Sequence, residues 1–184
     1  MEASPSYRTR DSDSELDATF RAALREFVDD LARTSWLAKE HDCVNRFVFR
    51  HLAMKVRPGS VLHDLGQIRI EGHAPQPPGI GTKLTARKDL VIWPDPDATC
   101  FDDPDRNGRW LAPHRPLAIM EWKADLRARH RPRLDPHDLD WLGAAARHWP
   151  GFTGYAVLLH RDVLIAARSE GDGCDREWLT LARR

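Results

Sequence analysis

Few of the features that assign a chain to a class by themselves are found here. Its 184 residues hold three cysteines and two tyrosines, and Lys plus Arg balances Asp plus Glu at 28 each. Cys43, Cys100 and Cys174 are odd in number, widely spaced and in no CxxC pair, which argues against a disulfide framework and against a zinc knuckle. Reduced thiols are the expectation. The zero net charge removes the global attraction that marks many nucleic-acid binders, so binding of that kind has to come from local charge. No apolar run approaches the roughly 20 residues that a membrane helix requires. The opening segment 1–14 is polar, carries Arg8, Arg10, Asp11 and Asp13, and has no apolar stretch behind it, so it does not read as a signal peptide. No membrane association is expected, and a cytoplasmic address follows by default.

The chain does have bulk and pattern. Seven Trp and six Phe supply core material for one domain, while 30% charged residues describe a solvated surface. Residues 1–14 are read as a disordered tail and 15–184 as a single domain. Ser14 offers a helix cap, and Leu16, Phe20, Leu24, Phe27 and Leu31 recur at helical spacing. A second helix is predicted from Thr34 or Ser35 to about Arg57, where Pro58-Gly59 ends it. Gln67 to Glu71 reads as a short strand, and the Pro- and Gly-rich stretch Gly72 to Gly81 as a loop. Asp89 to Trp93 and Leu117 to Lys123 read as strands. The acidic, proline-broken segment between them, Pro94 to Pro116, reads as an excursion at the sheet's rim. Its Asp95, Asp97, Asp102, Asp103 and Asp105 lack the glycine and terminal Glu of an EF-hand loop. Asp135-Pro136-His137-Asp138 opens a helix with a cap, a proline at the first position and an acid in the first turn. Strands follow at Gly154 to His160 and Val163 to Ala167, and Cys174 to Arg184 is expected to form a short closing helix.

Leu117 to Lys123 is apolar on both faces until its end, as a central strand would be, yet it finishes with Glu121 and Lys123. Strand alternation points these two charges to one side. If the strand pairs antiparallel with Asp89 to Trp93, and Trp93 faces Leu117, Asp89 falls directly across from Glu121 on the same face. Two carboxylates so placed repel unless a cation or a proton sits between them, and hard oxygen ligands suit Mg2+ or Mn2+. On the second predicted helix, Glu40 shares an arc with Trp36, Leu37, Val44, Phe47 and Val48, whereas Asp42 projects to the far side. An inward carboxylate needs a partner or a metal, which makes Glu40 a further candidate.

This order of residues, an acid on an early helix (Glu40), an Asp opening a strand (Asp89) and E-x-K at the end of the next (Glu121-Trp122-Lys123), resembles the PD-(D/E)xK nuclease superfamily. Lys88 stands where that motif has proline. The resemblance spans roughly Trp36 to His160. It implies an α/β restriction-endonuclease-like core, a mixed sheet of about four to five strands flanked by helices in the order αβββαβ. It also implies hydrolysis of phosphodiester bonds in nucleic acid, with DNA expected ahead of RNA. Asp89, Glu121 and the backbone carbonyl of Trp122 would hold one Mg2+ or Mn2+, and Lys123 would orient the attacking water or offset charge on the phosphate. Glu40 would bind a second ion or steer a coordinated water. Arg127, Arg129, Arg131 and Arg133, with His130, follow the lysine as a local cationic loop able to contact phosphates. Cutting both strands of a duplex would call for a homodimer, although the sequence leaves the oligomeric state open.

Other readings stand beside this one. Glu121 and Lys123 could form an ion pair at a strand end with Asp89 capping a turn, and the arginine run could be a solvated loop. The scaffold could be a non-catalytic module binding nucleic acid or protein. His41-Asp42, His51 and His63-Asp64 suggest an HD-type phosphohydrolase, but such enzymes resemble helical bundles, and much of this chain reads as sheet.

Overall fold

A computed structural model describes residues 10–34, 36, 39–100, 114–126 and 131–182. Helix α1 spans Arg10–Thr34, beginning four residues before the expected Ser14 cap. Its stripe of Leu16, Phe20, Leu24, Phe27 and Leu31 is buried throughout, as the spacing requires. The second helical segment is shorter and more broken than expected. Helix α2 covers only Glu40–Phe47, then passes into a π-helical turn at Val48–Leu52 and a 3-10 turn at Ala53–Lys55. Trp36 is therefore not helical, and Glu40 opens the helix rather than lying inside a longer stripe.

Among the described residues six strands form one mixed open sheet: β1 (Ile68–Pro75), β2 (Thr85–Ile92), β3 (Ala118–Asp125), β4 (Thr153–His160), β5 (Val163–Glu170) and β6 (Gly173–Ala182). Their order in the sheet follows the chain. All neighbours are antiparallel except β3 and β4, which run parallel because helix α3 (Pro136–His148) carries the chain back between them. Two expectations are overturned. The strand predicted to stop at Glu71 continues to Pro75, paired with the start of β2 along its length. The predicted closing helix is strand β6, paired with β5. Cys174 to Ala182 is rich in residues that tolerate helix, but an unpaired β5 edge offers a full row of backbone partners, and tertiary pairing overrides propensity. The sheet consequently has six strands, not four or five.

Both faces of the sheet are covered. On one side α1, α2 and the π-helical turn after it pack Phe20, Phe27, Phe47 and Leu52 against Leu90, Met120, Trp122 and Tyr155. On the other, α3 packs Trp141, Leu142 and Ala145 against Val91, Ile119 and Ala156. Strand β4 is buried at every position and β3 along its first five residues, so the centre of the sheet lies where the two run in parallel. Cys43 and Cys100 are buried free thiols and Cys174 an exposed one. Among the described residues no helix is long and apolar enough to cross a membrane.

Strands β1 and β2 share a local irregularity that redirects side chains. Ile70 and Leu90 pair and face the α1/α2 side, yet Ala74 and its partner Ala86, an even number of residues further along each strand, face the α3 side. Side-chain alternation has inverted in both strands. The inversion falls at the pair Glu71 and Asp89, which is missing from the ladder, and Glu71 has a φ of 51°, a left-handed value unusual for a residue with a side chain.

Candidate active site

Strands β2 and β3 pair over only three positions, Leu90 with Met120, Val91 with Ile119 and Ile92 with Ala118. Beyond Leu90 and Met120 they part. The register is the one expected from sequence, and its next step brings Asp89 across from Glu121 at the point of divergence. Asp89 Oδ2 accepts a hydrogen bond from the Trp122 backbone N–H at 2.7 Å, and the Asp89 backbone N–H approaches Glu121 Oε2 at 3.4 Å. The two acids are thus held together by the backbone of the splitting strands.

Lys88 completes this inner group, and sequence reasoning missed it. Strict alternation would put Lys88 on the face away from Glu121, but the inversion at Glu71 and Asp89 turns it to the α3 side. There its Nζ donates to Glu121 Oε1 and lies 3.7 Å from the centre of the Trp141 ring. Both side chains are buried, Lys88 at 7% exposure and Glu121 at 8%. Burial pushes the Glu121 carboxyl up to about 7; Lys88 opposes that rise, and the neighbouring Asp89 and Asp138 add to it.

Lys123 forms an outer group. Its Nζ is 3.1 Å from the Trp122 carbonyl, 3.6 Å from Asp138 Oδ2 and 3.7 Å from Glu40 Oε1. Burial works against its charge, but Asp138, Glu40, Asp89 and Glu121 outweigh it and raise the ammonium's pKa. Glu40 reaches this place as the first residue of α2, half-exposed, not as part of a buried helical stripe. Burial raises its pKa, with Lys123 opposing. In sequence Asp138 reads only as a first-turn acid of α3. Its position three residues after the Asp135 cap turns it inward, where it is 8% exposed and its pKa is raised, chiefly by burial.

A cleft of about 580 Å³ opens beside this outer group, lined by Glu40, Lys123, Asp125, Arg133 and Asp135 among others. Asp89 and Glu121 do not line it; Lys123 and Glu40 of the outer group do. Arg131 and Arg133 are exposed on the segment leading to α3. Arg127 and Arg129 lie outside the described residues, as do Asp102, Asp103 and Asp105 of the acidic excursion.

The donor set for a metal is oxygen alone, which suits Mg2+ or Mn2+. Among the described residues no three His, Cys, Asp or Glu side chains are grouped to hold an ion. Mg2+ usually takes one or two carboxylates and keeps several waters; Asp89 and Glu121 are two adjacent carboxylates, and the Trp122 carbonyl accepts from Lys123 Nζ at 3.1 Å. Glu40 is grouped with Lys123 rather than with a third metal donor. Two histidines of the HD pattern lie apart from each other, His41 at 3.1 Å from Glu71 and His51 at 3.5 Å from Asp30, while Asp64 caps the 3-10 turn Leu65–Gln67.

No family model matches the chain, and neither a curated protein nor a solved structure matches it.

Proposed function

We propose that the chain is a divalent-metal-dependent nuclease that hydrolyses phosphodiester bonds, with DNA as the substrate. The observation that carries this reading is the convergence of Asp89 and Glu121 where β2 and β3 part, with Lys123 two residues further along the strand. Asp89, Glu121 and the Trp122 carbonyl would hold Mg2+ or Mn2+, which in such sites polarises the scissile phosphate and lowers the pKa of a bound water. Lys123 presents its ammonium at the cleft, kept protonated by Asp138 and Glu40, where it offsets charge growing on the phosphate oxygens. Arg133, on the same cleft, contacts a neighbouring phosphate and sets the strand's direction across the site.

The test is incubation of the purified chain with supercoiled, linear and single-stranded DNA and with RNA, each with Mg2+ or Mn2+. DNA cutting that stops with chelator is expected. Lys123→Ala should lose cutting yet keep metal binding, and Asp89→Ala should weaken both; normal cutting in either variant would refute the roles given.

A second reading is favoured by one observation: every acid of the group already has a partner within the chain. Lys88 meets Glu121, Lys123 meets Glu40 and Asp138, and Trp122 N–H meets Asp89. On that reading the scaffold binds nucleic acid or protein without cutting. Failure to cut any of the four substrates with either ion, together with no measurable uptake of Mn2+, would favour it.

A further inference from the structure

Lys88 does more than neutralise a neighbour. We propose that its ammonium is a cation built into the site, a positioning residue that holds one side of Glu121 and limits the cluster to a single divalent ion. The inference rests on the nuclease reading only in supposing that Asp89 and Glu121 take a metal at all.

The direction of Lys88 is itself unusual. A strand that kept its alternation would send this side chain to the α1/α2 face; the inverted pair Glu71 and Asp89, with the left-handed Glu71, redirects it to Glu121. Once there it is enclosed: the side chain is 7% exposed and its amine is roofed by the Trp141 ring of α3 at 3.7 Å. A buried ion pair is a poor device for stability alone, since apolar side chains of similar volume commonly do as well. A compact ammonium on an aromatic face does suit the place of a small cation.

The oxygens then divide. Lys88 holds Glu121 Oε1, and the Trp122 N–H holds Asp89 Oδ2. Among the described residues, Glu121 Oε2 is approached only by the Asp89 N–H at 3.4 Å, and it and the remaining Asp89 oxygen are left for a metal. Glu40 and Asp138, the other acids of the group, are drawn to Lys123. Lys88 therefore covers the one Glu121 oxygen that a second ion beside the first would share, while Lys123 holds the outer acids.

The experiment is titration of the full-length chain with Mn2+, read by calorimetry and by electron paramagnetic resonance of free Mn2+, without nucleic acid. The wild type should take one ion per chain. Lys88→Met, close in shape but uncharged, should take two, and Lys88→Arg should return the count to one. Two ions on the wild type, or one on both wild type and Lys88→Met, would overturn the proposal. No ion on the wild type but one on Lys88→Met would overturn the single-ion count together with the metal-nuclease reading, since Lys88 would then exclude the metal altogether. No ion on either would overturn both. Should Lys88→Met fail to fold, by circular dichroism, a wild-type crystal soaked in Mn2+ decides. One ion with Lys88 still on Glu121 supports the inference, and Lys88 displaced by a second ion overturns it.

Discussion

Glu121 carries the strongest electrostatic signature of the cluster. Burial raises its carboxyl to about 7, against the pull of Lys88. A carboxyl raised in the folded state binds its proton more tightly there than in the unfolded chain, so its contribution to stability is full below the ordinary glutamate range. That contribution is lost as pH rises through about 7. The metal-free chain should accordingly show urea midpoints that fall between pH 5 and pH 8, and Glu121→Gln should flatten that slope, while its overall stability drops because Lys88 is left buried without a carboxylate. An unchanged slope in Glu121→Gln would place the titration elsewhere. Proton and metal compete for the same carboxylate, so Mg2+ affinity should rise over the same interval. Asp138 offers a second residue-level test, because it touches Lys123 and not the inner acids. Asp138→Asn should leave Mn2+ binding near wild type while cutting falls about 10- to 100-fold through misplacement of the amine. Equal loss of both would make Asp138 a ligand.

The difference between what sequence revealed and what it hid is visible at these same residues. Asp89 and Glu121 were legible because period-two alternation and one antiparallel register suffice to bring them together. Lys88 was not, because its direction depends on a left-handed residue in the neighbouring strand, and Glu71 carries no sequence signal for that conformation. Asp138 was hidden by an adequate local explanation, since acids are common in the first turn of a helix.

At the scale of elements, the site depends on how α3 lies on the sheet, since that helix supplies Asp138 and the Trp141 roof. Gly154 is the point of closest approach: a Cβ there would meet Leu142 Cβ at 2.8 Å and Cδ2 at 3.0 Å. Gly154→Ala should lift α3 or strain β4, lower stability by about 1–3 kcal/mol and impair the site with it. Gly143, inside α3, provides the contrast, because its added methyl would meet only Arg147 Nη1, at 3.5 Å. Gly143→Ala should stabilise by up to about 1 kcal/mol through helix propensity and leave the site alone. Thermal melts of the two variants should move in opposite directions; movement together would mean that α3 is not seated through Gly154. The start of α3 was readable from Asp135-Pro136, and the structure has that cap, with Asp135 Oδ1 accepting from the His137 N–H at 2.9 Å. The end of the chain was misread because β6 is made by its pairing with β5 rather than by its own composition. Its Trp178 and Leu179 are buried in succession, which hides the alternation that would have announced a strand.

For the molecule as a whole, the balance of 28 basic and 28 acidic residues sets a limit on how it can hold a polyanion. With no net attraction, binding has to come from local cations. On the proposed reading these are Lys123 and Arg133 on the cleft, together with Arg127, Arg129 and Arg131, which adjoin Arg133 in the sequence. Each phosphate neutralised contributes about 0.9 to the slope of log affinity against log salt for duplex DNA, so five contacts give a slope of about −4 to −5. Anisotropy with a labelled duplex, in chelator so that nothing is cut, should give a slope within that limit. Arg133→Ala should make it shallower by about 1 at every DNA sequence, because a phosphate contact carries no base information. Arg147, exposed in the last turn of α3, serves as the control: Arg147→Ala should leave the slope where it was. A wild-type slope steeper than about −6, beyond what these five cations can release, would assign the DNA to another surface. So would a slope indifferent to Arg133, and either result would separate the acids at the sheet's split from the binding they are proposed to serve.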